Sequence, residues 1–270
     1  MKSRWLSGPY IVWMILFTLI PLGVVAAFAF TSRNGGFTLD NLAAIGAYLP
    51  ILLRSIWLSI AASAICLLVG YPAAYCIAQA PPARQRVYYM LVMLPMCMSF
   101  LLRTMAWVAL LEDTGIVNGF LRAVGLAPLP LIRSGGAVIL GMVYNYLPYM
   151  IMPLYTVIVK IDRRLVEAAQ DLGCNNRQVF GRVILPLSVP GIVSGVTMVF
   201  VPAVSTFYIS QKLGSPGSTL IGDVIESQFK GAYNPNLGAA MSLMLMALIF
   251  LCVGLMNRFS DEGEEGGIMP

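Results

Sequence analysis

Residues 163–186 read RRLVEAAQDLGCNNRQVFGRVILP, a charged, glycine-broken stretch between two continuously apolar ones, residues 135–159 and 186–208. Its first part has the period of an amphipathic helix. Leu165, Ala168, Ala169 and Leu172 fall at i, i+3, i+4 and i+7 on one face, while Arg163, Glu167 and Asp171, spaced by four, share another. Gly173 is placed to end that helix. Asn175 is placed to cap a second one, with Gln178 three residues on completing a box-like cap. Val179, Phe180, Val183 and Ile184 form a second apolar stripe, followed by Leu185 and by Pro186, which is expected to open the next apolar helix. Two short helices at a sharp angle, joined rigidly to two membrane helices, make a lever. The competing reading is an amphipathic loop lying on the membrane surface.

Outward from this segment the chain is apolar. Of its 270 residues 59% are hydrophobic and only 11% are charged, against about 25% charged in soluble domains, and the mean hydropathy is +0.81. A membrane-crossing helix needs roughly 20 apolar residues, and six stretches meet that need: about 10–30, 55–80, 87–111, 135–159, 186–208 and 232–257. The runs do not alternate as barrel strands do. The expectation is an all-α membrane protein of six spans forming one domain over residues 1–270. Loops are expected at 31–54, 111–134 and 209–231 on one side, and the acidic, Gly-rich tail 261–270 reads as disordered.

Orientation follows from Lys and Arg. With the N-terminus inside, Lys2, Arg4, Arg84, Arg86, Lys160, Arg163, Arg164, Arg177, Arg182 and Arg258 are cytoplasmic, leaving Arg33, Arg54, Arg103, Arg122, Arg133, Lys212 and Lys230 outside or at outer helix ends. Both termini are then cytoplasmic. The net charge of +5 is accounted for by this bias, so it is no sign of a nucleic-acid partner. The first apolar run, at about 20 residues, is longer than a signal-peptide core and reads as a retained helix.

Several chemistries are missing. There is no histidine, and the five cysteines form no CxxC pair, so no metal site and no catalytic residue is expected. None of the four lysines follows a glycine, which excludes a Walker A loop. A proton-driven carrier keeps carboxylates inside its helices, yet the acids nearest a span are Glu112 and Asp113 at the end of the third. Only Arg103 is a charge clearly within a span. It either snorkels outward or pairs with an acid, or it shapes the pathway. The chain therefore lacks an obvious energy source of its own, and something else is expected to supply it. Prolines 21, 72, 95, 148, 153, 190 and 202 interrupt the spans, favouring bent helices around a pathway. Gly191-x-x-x-Gly195 permits close helix contact.

The segment resembles the EAA loop of bacterial ABC importer permeases. Glu167, Ala168, Ala169, Gly173, Leu185 and Pro186 fit the family pattern, and Val183 stands where isoleucine is usual. A finer likeness, to the first permease subunit of spermidine/putrescine transporters, runs over residues 10–257. It is carried by Leu94-Pro95, Leu102-Arg103-Thr104-x-Ala106-Trp107, Gly115-x-x-Asn118, Tyr144-Asn145-Tyr146-Leu147-Pro148, Phe200-Val201-Pro202-Ala203, and Leu220-Ile221-Gly222-Asp223 with Gln228-Phe229. The resemblance implies a type I importer fold in the bacterial inner membrane and a coupling helix that inserts into a groove on the ATPase. It implies a second, homologous permease, a periplasmic solute-binding protein, and an ATPase homodimer that binds the ATP and Mg. Glu167, Ala168, Ala169, Asp171, Gly173, Phe180, Leu185 and Pro186 become the expected coupling residues. The expected solute is a polyamine, with opines or amino-acid-like solutes as the alternative.

A polycation needs carboxylates or aromatic faces. Glu112 and Asp113 beside Trp107, Asp223 and Glu226 spaced by three, and Tyr144, Tyr146, Phe207 and Tyr208 are the candidates for the pathway. Their plain alternatives are solvated or docking charges, interfacial belts and ordinary packing. A stand-alone carrier and a structural scaffold are the other function classes.

Overall fold

A computed structural model describes residues 12–32, 35–215, 217–232 and 234–265. Lys2, Arg4, Arg33, Asn34, Pro216 and the tail residues 266–270 lie outside the described residues, whereas 261–265, expected as part of a disordered tail, continue the last helix to Glu265. Helix is the only regular secondary structure among the described residues, apart from one isolated bridge between Thr31 and Phe37. Among the described residues four helices are long and apolar enough to cross a membrane: α1 (Val12–Ala29), α2 (Asp40–Gln79), α6 (Gly135–Ile158) and the apolar part of α12 (Pro235–Glu265), residues Pro235–Met256. Two bent pairs add up to two more crossings. In the first, α3 (Pro82–Cys97) turns by 87° into α4 (Phe100–Leu111) and α5 (Ile116–Ala123); in the second, α8 (Asn176–Leu187) turns by 63° into α9 (Val189–Ser205). The short helices α7 (Arg163–Asp171), α10 (Tyr208–Leu213) and α11 (Ile221–Lys230) complete the set.

The expected boundaries shift in physically instructive ways. The third span is not one straight helix over 87–111; it breaks at Met98–Ser99, just after Leu94-Pro95 tightens the chain into a 3₁₀ turn. Pro186 does not open the fifth span either. Helix α8 runs through it, and the bend comes at Ser188, followed by Pro190 in the first turn of α9. Pro21 and Pro186 share one accommodation: each follows a π turn, Ile15–Leu19 and Phe180–Ile184, whose next residue donates five positions back, Ile20 to Ile15 and Leu185 to Phe180. The proline ring displaces the carbonyl four residues before it, and the widened turn makes room. The stretches expected as loops at 31–54, 111–134 and 209–231 hold helical structure: α2 starts at Asp40, α5 fills the second, and α10 and α11 the third.

The core lies where α6 packs against α2 and α9. Gly191 and Gly195 make that approach possible, because a Cβ on them would meet Val157 at 3.1 Å and Met150 Sδ at 2.7 Å. A second cluster joins α1, α11 and α12 through Ala29, Val224, Leu237, Ala240 and Met241. Long apolar side chains such as Trp57, Leu68 and Phe250 stay uncovered on the outside, as suits contact with lipid.

Candidate functional site: the α7–α8 lever

Helix α7 starts at Asp162, whose carboxylate accepts from the Arg164 N–H at 2.9 Å. It stops in a Schellman arrangement: the Gly173 N–H donates to Gln170 O at 2.8 Å and the Cys174 N–H to Ala169 O at 3.0 Å. Gly173 has φ +84°, left-handed backbone that a side chain strains. Asn175 and Gln178 then close both bonds of a capping box at 2.9 Å, and the Gln170 amide reaches Asn176 Oδ1 at 3.3 Å across the corner. Three devices thus hold the angle between α7 and α8.

The two apolar stripes meet different fates. On α7, Leu165 is 48% exposed and Leu172, just past its end, 87% exposed; Ala168 is exposed and Ala169 half-buried. On α8, Val179 and Ile184 are buried, and Phe180 sets its edge against Tyr71 at 5.5 Å and Tyr75 at 5.8 Å on α2. The Tyr71 and Ser188 hydroxyls, 2.8 Å apart, tie the bend between α8 and α9 to α2 as well. Phe180 is therefore the joint between lever and bundle. Glu167, Asp171, Gly173, Leu185 and Pro186 are exposed. Glu167 lines a cavity of ≈ 1040 Å³ between α7 and the ends of α2, α3 and α6, together with Arg163, Gln170, Arg177 and Gln85. Sequence reasoning singled out Glu167 but not its polar surroundings; the spacing of Arg163 and Glu167 was the available signal.

At the opposite end, the structure brings Trp107 and Tyr144 together edge to face at 5.3 Å, and Phe100 to Tyr208 at 6.1 Å. Lys212 lies over the Tyr208 ring, 5.8 Å from its centroid. Tyr146 lies in the core and donates to Pro202 O at 3.3 Å. Glu112 and Asp113 are exposed, in a turn fixed by Asn118, which donates to Glu112 O and Leu129 O and accepts from Leu129 N–H. Gly115 belongs to the same lock, since a Cβ there would stand 2.6 Å from Ala109 O.

Asp223 is buried and accepts from the Leu220 N–H at 2.7 Å at the start of α11. Burial pushes its carboxyl above the usual range. Glu226, three residues on, is held below the usual range by its bond to Lys230 at 2.7 Å and by the Gln211 amide. The two acids differ in setting: Asp223 is buried at the start of its own helix, while Glu226 borders an apolar groove shared with Phe207, Ile225 and Phe250.

Residues 1–263 match the protein family described as binding-protein-dependent transport system inner membrane component. The chain belongs to that family. It is a permease subunit of an ABC importer, a non-catalytic component. This permease is 38% identical over 268 residues to the spermidine/putrescine transport system permease protein PotB of Haemophilus influenzae, covering 94% of this chain and 93% of the relative. To its Escherichia coli counterpart it is 35% identical, covering 94% and 97%. The permease fold recurs in the crystal structure of a bacterial ABC transporter involved in import of the acidic polysaccharide alginate, with TM-score 0.78 and 20% identity over 97% of this chain and 96% of that one. The MetNI methionine ABC transporter, inward facing, gives TM-score 0.61 and 16% identity over 80% and 95%.

Proposed function

We propose that this permease forms half of the solute pathway of an ATP-driven polyamine importer in the bacterial inner membrane. The four long helices and two bent pairs make six crossings with both termini cytoplasmic. This orientation is supported by Lys160, Arg163, Arg164, Arg177 and Arg182 gathered at the α7–α8 end. The single observation that carries the coupling is the uncovered apolar stripe of α7, held at a fixed angle while its α8 counterpart is packed inside. The stripe enters a groove on an ATPase homodimer, which binds ATP and Mg. Closure of that dimer moves the lever, and Phe180 passes the movement to α2. A second, homologous permease completes the pathway, and a periplasmic binding protein docks at the α10–α11 end. The polyamine assignment is supported by the identity to the spermidine/putrescine permeases.

The test is ATP hydrolysis by the complex reconstituted in vesicles with binding protein loaded with spermidine, putrescine, octopine or an amino acid. Stimulation by polyamines is expected. Stimulation by octopine or an amino acid alone removes the polyamine assignment, and uptake without any ATPase removes the importer reading.

A further inference from the structure

Among the described residues Arg103 neither snorkels nor pairs with an acid. It is 7% exposed, and its Nε and Nη1 are sealed from solvent without a hydrogen-bond partner. It stands in the first turns of α4, immediately after the 87° break, where the side chain of the N-cap residue Ser99 makes no cap hydrogen bond. Two positive features coincide there. The N-terminus of a helix carries unsatisfied N–H groups and partial positive charge, and a helical side chain leans toward that same end. Tyr146 lies near the guanidinium, but its hydroxyl, which donates to Pro202 O, accepts nothing from Nε or Nη1 of Arg103. The nearest acid along the helix, Glu112, is nine residues on, about 13 Å at the helical rise. A buried cation left this way is strongly unfavourable unless an anion completes it.

We infer that Arg103 and the uncapped N-terminus of α4 form a carboxylate-binding site, filled in the assembled importer by an acidic side chain of the second permease subunit. The inference rests on the importer reading. Met98, Leu101 and Leu102 beside the site are at least half exposed, so the outward face of this turn is open to a partner, and Nη2, which is not among the sealed atoms, is the atom its carboxylate meets. A polyamine has no carboxylate to offer and is repelled by a bare guanidinium; a partner carboxylate removes that repulsion. The carboxylate of an opine is the other source of the same chemistry.

The experiment uses the assembled importer in vesicles, with uptake of spermidine and of octopine as readouts and co-purification of both permeases as the assembly control. Arg103→Met is expected to lower spermidine uptake about tenfold or more by leaving a partner acid buried alone. Neutralising that one acid in the same background should restore uptake to within about threefold, because removing both members of a buried pair is far milder than removing one. Octopine uptake lost with spermidine uptake intact assigns the site to a solute carboxylate. If assembly fails, the double neutral variant should restore it. Wild-type uptake of both solutes by Arg103→Met and Arg103→Glu overturns the site, as does a loss of uptake or assembly that no neutralised partner acid repairs and that spares neither solute. A wild-type importer indifferent to polyamines sinks the polyamine reading alone, whatever Arg103 does.

Discussion

Leu172 and Ile184 are both apolar, both belong to stripes with helical spacing, and lie 12 residues apart, yet one is 87% exposed and the other 4%. The period alone does not separate them. What separates them is continuity: α8 runs on into α9 and is drawn against α2, whereas Gly173 turns α7 away from the bundle. The lever thus has one stripe committed to its own chain and one left over. Burying an apolar side chain of that size is worth about 1.5–3 kcal/mol, so an uncovered stripe held by a Schellman turn and a capping box marks a surface built for something outside the chain.

The comparison breaks most completely at the hinge. Gly173→Val forces a β-branched side chain into left-handed backbone. It should reduce solute uptake about tenfold or more, at roughly 1–3 kcal/mol of local strain, while the membrane-inserted permease pair is still recovered. Wild-type uptake would falsify the lever.

Truncation on the two stripes sharpens the contrast. Ile184→Ala should destabilise the detergent-solubilised permease by about 2–5 kcal/mol, the range for buried Leu or Ile truncation. Leu172→Ala should stay within about 0.5 kcal/mol, as an exposed change does, yet weaken retention of the ATPase. Thermal unfolding of the two variants side by side checks this; equal losses would mean that the stripes are not different in kind.

The smallest effect is expected far from the lever, at Asp223. Its folded carboxyl is raised by burial, so its neutral form is favoured by folding; the stability this gives is present at low pH and lost as pH rises through the raised value. Asp223→Asn keeps an acceptor for the Leu220 N–H without the charge. It should therefore be neutral or slightly stabilising at neutral pH and flatten the stability profile above the ordinary carboxyl range. A marked loss of solute uptake in this variant would instead make the carboxylate a pathway group.

Much of this was legible in the residues. The amphipathic period of α7, the Gly173 stop and the Asn175–Gln178 box are local patterns with local causes, and hydropathy located the long spans. The bends were not legible to the residue, because prolines 95, 186 and 190 mark candidate breaks but only tertiary packing decides which one yields. The pathway candidates were the least legible. Tyr146, Asp223 and Glu226 read alike as candidate pathway groups, and only the fold separates a core phenol, a carboxylate capping its own helix and a carboxylate tied to Lys230.

The central claim is that the uncovered stripe of α7 is the docking surface for the ATPase. The direct measurement is co-purification of the ATPase with the permease pair carrying Leu165→Asp and Leu172→Asp, two charges placed only on exposed positions. The account predicts an intact permease pair from which the ATPase is lost. Full retention of the ATPase, with ATP hydrolysis still stimulated by loaded binding protein, would contradict it.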